Sequence, residues 1–185
     1  MKQSLYGLAL FVLLALPPVA GLMESVMIAH MHMQMPLLVL SGFLMGKYPQ
    51  IRLTGFLGRW NGNGAPGIVL FAIIAAYWML PRAMDEALAS FGAEAFKFLS
   101  LAFLCGVPLR DSWPKIGGAA KGAVAIGFTA LFAAMGLLYV IAPVQLCNNY
   151  LLLEQIALGW GFLTTAICMA VYLIYHAFTR RSQYE

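Results

Sequence analysis

Polar positions are sparse along this chain and come in clusters, and the stretches between clusters stay apolar long enough to cross a bilayer. A transmembrane helix needs about 20 largely apolar residues. Six runs approach or exceed that length, at 4–22, 23–45, 65–81, 87–108, 118–142 and 150–177, the third being short but usable. None shows the period-2 alternation of a barrel strand, and in lipid only helices or closed barrels satisfy their own backbone. The pattern therefore predicts an all-α fold, a polytopic membrane helical bundle with six transmembrane helices. No linker, charge block or internal repeat divides it, so residues 1–185 read as one transmembrane domain.

Composition sharpens this picture. The chain is 62% hydrophobic and 10% charged, against roughly half apolar and a quarter charged in soluble domains. The net charge of +4 gathers at span ends: Lys2, then Lys47, Arg52 and Arg59, then Arg110, Lys115 and Lys121, then Arg180 and Arg181. All four groups fall on one side of an alternating topology, and basic loops mark the cytoplasm. Both termini are expected there. Because orientation accounts for the basic residues, nothing calls for nucleic acid; the expected partners are the lipid bilayer and another membrane protein.

Lys2, the apolar run from Leu5 to Leu16 and the following Pro-Pro-Val-Ala-Gly also have the form of a cleavable signal. The expectation is that this segment is kept as the first span. Trp60, Trp78, Trp113 and Trp160 lie near span ends, where aromatic anchors sit at the interface. The stretch Arg59 to Gly64, with two Asn-Gly pairs, reads as an exposed connecting turn. Cys105, Cys147 and Cys168 form no CxxC and suggest no disulfide framework.

The candidate chemistry lies in the second run, at His30-Met31-His32-Met33-Gln34-Met35, with Met23 and Met27 just upstream. Imidazole and thioether together favour Cu(I), which soft sulfur ligands select. Residues three and four apart share a helix face, which groups Met23, Met27, His30, Met31 and Gln34 into one stripe. His30 is expected roughly 10 Å into the membrane from the outer side, and His32 about 200° around the helix from it. Pro36 kinks the helix nearby. In the fourth run Glu94 and Lys97 are spaced to neutralise each other, since each uncompensated charge costs about 3 kcal/mol there; Glu94 is also a candidate partner for the His30 stripe. Asp85, Glu86 and Glu154 would ring the outer mouth as a funnel for cations, with Cys147 nearby. His176 lies at the far end of the last span. No Ser-His-Asp order, P-loop, dinucleotide fingerprint or HExxH motif is present, so no enzymatic reaction is expected.

The span-two motif followed by Pro36-Leu37-Leu38-Val39-Leu40, together with Leu153-Glu154-Gln155-Ile156-Ala157-Leu158-Gly159-Trp160, resembles the CtaG-like integral-membrane assembly factors of caa3-type cytochrome c oxidase. The resemblance implies a role in copper delivery or oxidase assembly, with His30, Met31 and His32 carried over from one patch and Glu154, Gln155 and Gly159 from the other. The chain is shorter than typical members, and its first two histidines stand closer together. The expectation is a copper chaperone or assembly factor of the bacterial inner membrane, with metal at Met23, Met27, His30, Met31, His32 and Glu154. The alternative is an electron-transfer or accessory subunit holding haem b or copper.

Overall fold

A computed structural model describes residues 2–52 and 54–181. Among the described residues every regular element is helical. In chain order these are α1 (Lys2–Ala15), α2 (Pro17–Glu24), α3 (Met27–Ile51), α4 (Thr54–Trp60), α5 (Ala65–Trp78), α6 (Pro81–Ala89), α7 (Phe91–Ser112), α8 (Gly118–Ile141) and α9 (Leu152–Arg181). Four of them, α3, α7, α8 and α9, are long and apolar enough to cross a membrane unaided. Two bent pairs, α1 with α2 at 69° and α5 with α6 at 73°, raise the number of candidate spans to six if each pair is one span.

Both bends have the same cause. Leu16 and Leu80 are extended, at φ −64° ψ 127° and φ −73° ψ 133°, each directly before a proline that disfavours helix at the preceding residue. Proline also shapes the interiors of α3 and α7. Pro36 lacks the N–H that would bond the His32 carbonyl in an α-helix. The preceding turn, His30–Gln34, widens to a π-turn, and the Met35 amide bonds the His30 carbonyl instead. In α7 a π-turn at Ser100–Gly106 precedes Pro108 in the same manner. The two widened helices cross without side chains between them: a Cβ on Gly42 would strike the Ala102 carbonyl, and one on Gly106 the Val39 carbonyl. This close crossing aligns the buried faces of α3 and α7.

The helices α8 and α9 form a long hairpin in which Gly136 and Gly159 lie against each other's backbone, as small residues permit in lipid. Asn61, just past α4, is fully buried. Its amide donates to Asp111 Oδ2 (2.7 Å) and Ser112 Oγ (2.8 Å) and accepts from the Gly67 amide (2.9 Å), while Lys115 bonds Asp111 (2.6 Å) and the Asn61 carbonyl (2.8 Å). Arg59, Trp60, Gly62 and Asn63 are exposed, as expected of a connecting turn, while Asn61 turns inward and clasps α5 and α7 to the end of α4. Trp78 departs from expectation as well. It is 1% exposed and bonds Ser100 Oγ at 2.8 Å, so it is a core residue of the α5–α7 contact and no interfacial anchor.

Candidate functional site

The break between α2 and α3 positions the site. Val26 is extended (φ −129°, ψ 125°), which ends α2 and lets its last residue, Glu24, lie beside the π-turn of α3. His30 then sits three residues, about 5 Å of rise, from the start of α3. Met27, His30, Met31 and Gln34 all face inward, at 0, 0, 5 and 0% exposure, whereas Met23 is half-buried. The spacing argument for a single buried stripe describes this face well.

What the stripe meets is a charge. Lys97 of α7 has no exposed surface, and its ammonium reaches Glu24 Oε1 at 2.5 Å, His30 Nε2 at 3.1 Å and Gln34 Oε1 at 3.4 Å. An ammonium has three N–H donors, and three acceptors are in place. Gln34 Nε2 returns a bond to Glu24 Oε1 at 3.1 Å. The expected neutralisation of Lys97 by Glu94 is replaced by pairing with Glu24, because the folded-back end of α2 brings a carboxylate to the face of α7 that points into the bundle.

The histidine tautomer follows from the remaining partners. The Tyr150 hydroxyl donates its one proton to the Glu24 carbonyl at 2.7 Å, so at 2.9 Å from His30 Nδ1 it accepts. His30 therefore carries its proton on Nδ1 and presents the Nε2 lone pair to Lys97. Tyr150 lies outside the spanning helices, and burial, then the Glu24 carboxylate, push its hydroxyl pKa up; the phenol remains a proton donor at every physiological pH. A continuous set of bonds thus runs from the loop before α9, through Tyr150 and His30, to Lys97 and Glu24.

The remaining sequence candidates are placed elsewhere. His32 points away from the cluster, stacks on Phe162 (4.8 Å between centroids) and bonds Thr165 Oγ1 at 3.2 Å. Glu154 accepts from the Leu151 amide at 3.0 Å and so caps the start of α9. Gln155, 1% exposed, accepts from the Leu146 amide at 2.7 Å and donates to the carbonyls of Tyr139 and Val144. These contacts give the late-helix patch a loop-holding task. Asp85 bonds the Asn148 amide (2.8 Å) and the Asn149 side chain (3.2 Å), and Glu86 pairs with exposed Arg82. The acids expected to form a funnel are individually engaged. Cys147 is buried beside Asp85, with its thiol pushed up to about 12, chiefly by burial and then by that carboxylate.

No three His, Cys, Asp or Glu side chains converge as a metal site among the described residues. At the stripe the Lys97 ammonium stands where an added ion would lie, and both nitrogens of His30 are engaged. His30 and His32 share one helix and have separate partners, Tyr150 and Lys97 for the first and Thr165 for the second. Sequence reasoning singled out His30, Gln34 and Lys97 but not Glu24 as their partner, nor Tyr150. The signal for Glu24 was its place just before the Met/His segment; Tyr150 is 120 residues from its partner, and nothing local marks it. Comparison with protein-family models, curated proteins and solved structures finds no match.

Proposed function

We propose that this is a membrane-embedded cation-holding protein whose ion is Cu(I). In this reading it is a metal chaperone or assembly factor for a respiratory copper enzyme of the bacterial inner membrane, with no reaction of its own. The observation that carries the reading is the Lys97 ammonium, fully buried and bonded to Glu24, His30 and Gln34. Side chains that satisfy an ammonium in a membrane interior already constitute a cation site, and ionisable groups at such depth are functional by default. Lys97 is then a tethered cation that keeps the acceptors paired and the helices packed. An incoming ion has to displace it, because two positive charges cannot share so small a cage.

The choice of Cu(I) rests on the donors flanking that cage. Met27 is buried on the same face of α3 as His30, while the Met31 sulfur lies 4.0 Å from the Tyr139 hydroxyl and borders a cavity beside His32; thioether with imidazole selects Cu(I) over harder ions. The resemblance to CtaG-like assembly factors supports the same ion and a copper oxidase as client. His30 would supply Nε2 once freed of Lys97, with Tyr150 fixing the ring by holding Nδ1–H. Glu24 would balance the charge.

The test is anaerobic loading of detergent-purified protein with Cu(I), followed by desalting and copper analysis. Wild-type protein is expected to retain one equivalent, and His30→Ala to lose most of it while eluting as the same species. No retained copper in the wild type, or equal retention in His30→Ala, would overturn the proposal.

A further inference from the structure

Independently of the cation site, we infer that the groove ending at Trp113 and Lys121 binds one acyl chain of an anionic phospholipid, whose headgroup faces Lys121 and Arg110. The groove holds about 350 Å³, within the roughly 300–1,000 Å³ of ligand sites, and runs between α3, α5, α7 and the α8–α9 hairpin. Its walls are apolar throughout, with Phe43, Leu109, Trp113, Val124, Ala125 and Phe128 among them. Two of those walls carry a cation. The Lys121 ammonium lies 5.6 Å from the centre of the Trp113 ring, and the Arg110 guanidinium 5.2 Å from that of Phe43, both within the about 6 Å of cation–π contact.

The position of the cations selects the occupant. On α8, Lys121, Val124, Ala125 and Phe128 follow the three-and-four spacing of one helix face, so Lys121 stands one turn beyond the first apolar wall and closes that end of the groove. The helices α7 and α8 are each long and apolar enough to cross a bilayer, and residues 113–117 join them. The junction of two successive spans lies at headgroup depth, where aromatic residues such as Trp113, 39% exposed, anchor. Neither cation has a carboxylate partner among the described residues. Arg110 bonds neutral acceptors, the side-chain oxygens of Gln50 and Gln3 and the Phe43 carbonyl, and neighbouring Asp111 is taken by Lys115 and Asn61. Lys121 is half-buried, and its ammonium meets the face of Trp113 and no hydrogen-bond acceptor among the described residues. An anionic headgroup supplies the missing charge, as basic pockets between spans do for such lipids. The choline or ethanolamine of a zwitterionic lipid brings a further cation instead, and a free phosphate gains nothing from apolar walls. Phe71, Leu109 and Phe128 are shared with the cavity of about 390 Å³ beside His32, which lets an acyl chain run on into the bundle.

Detergent-purified, delipidated protein is incubated with equal amounts of phosphatidylglycerol and phosphatidylcholine, and the lipid retained is counted by native mass spectrometry. Wild type is expected to retain one phosphatidylglycerol in preference to phosphatidylcholine, undisturbed by excess inorganic phosphate. Lys121→Gln should weaken retention about fivefold, the effect of removing one cation at a membrane surface, and Lys121→Arg should restore it. Arg59→Gln, which removes the same charge from an exposed position outside the groove, should leave it unchanged. Ala125→Trp, which fills the groove and keeps both cations, should abolish it. Equal retention of the two lipids, equal retention by wild type and Lys121→Gln, or undiminished retention by Ala125→Trp would overturn the inference. Displacement by inorganic phosphate would also overturn it, as the mark of a free-anion site, and so would a loss in Arg59→Gln as large as in Lys121→Gln, as the mark of a diffuse basic face.

Discussion

At the scale of single residues, the decisive fact is that a lysine with no exposed surface stays paired inside a bundle this apolar. Removing one member of a buried ion pair strands the other and costs about 3–5 kcal/mol, whereas replacing both members with neutral groups of similar volume is often tolerated. Lys97→Met should therefore destabilise the folded protein more than the double variant Glu24→Gln/Lys97→Met. Thermal unfolding of the full double-mutant cycle in one detergent measures this directly, and additive effects would refute the pairing. Tyr150→Phe is expected to cost about 1–3 kcal/mol, since it leaves His30 Nδ1–H and the Glu24 carbonyl unsatisfied. Cys147 supplies a pH dependence. Its thiol is held up to about 12 from the usual 9.0, so the folded state favours the neutral form. The stability this contributes is complete below about pH 9 and is lost as pH rises from there toward 12. Maleimide should accordingly leave Cys147 unlabelled in the folded protein at pH 7 and at pH 9, and label it once the chain is unfolded.

At the scale of elements, prolines and glycines decide the geometry. Pro17 and Pro81 bend two helix pairs, Pro36 and Pro108 follow the π-turns, and Gly42 and Gly106 let α3 and α7 touch backbone to backbone. Gly42→Val should push these helices apart and cost at least the 1–3 kcal/mol typical of overpacking, with loss of a single sharp elution peak as the readout. Much of this level was legible. The apolar runs marked the long helices, and the three-and-four spacing marked the inward face of α3, because both depend on local periodicity alone. The break at Ser25 and Val26 lies within four residues of the boundary between the first two apolar runs, but the docking of α2 beside the π-turn is tertiary and was not legible. The identity of Lys97's partner was lost with it. Glu94, three residues away on the same helix, satisfies the spacing rule, but tertiary packing brings Glu24 instead. Asn61 is a related case: its Asn-Gly context correctly signals an exposed turn, but that this one side chain points inward shows only in its contacts with Asp111 and Ser112.

At the scale of the whole molecule, two buried polar networks each join several helices. One is the clasp of Asn61, Asp111 and Lys115, which holds α4, α5 and α7 at one end of the bundle. The other is the cage of Glu24, His30, Gln34, Lys97 and Tyr150, which joins α2, α3, α7 and the loop before α9. The first centres on a neutral amide, Asn61, with Lys115 at its partly exposed edge, and reads as architecture. In the second, the central cation sits on a flexible four-carbon stem that can be withdrawn without unwinding a helix, which is why a function is placed there. Competition titration of Cu(I) against a chromogenic chelator, with Lys97→Leu and wild type side by side, tests that placement most directly. If the ammonium is the resident competitor, Lys97→Leu, which adds no donor of its own, binds Cu(I) at least tenfold more tightly than the wild type, and adding His30→Ala abolishes the gain. Equal or weaker binding by folded Lys97→Leu would contradict it.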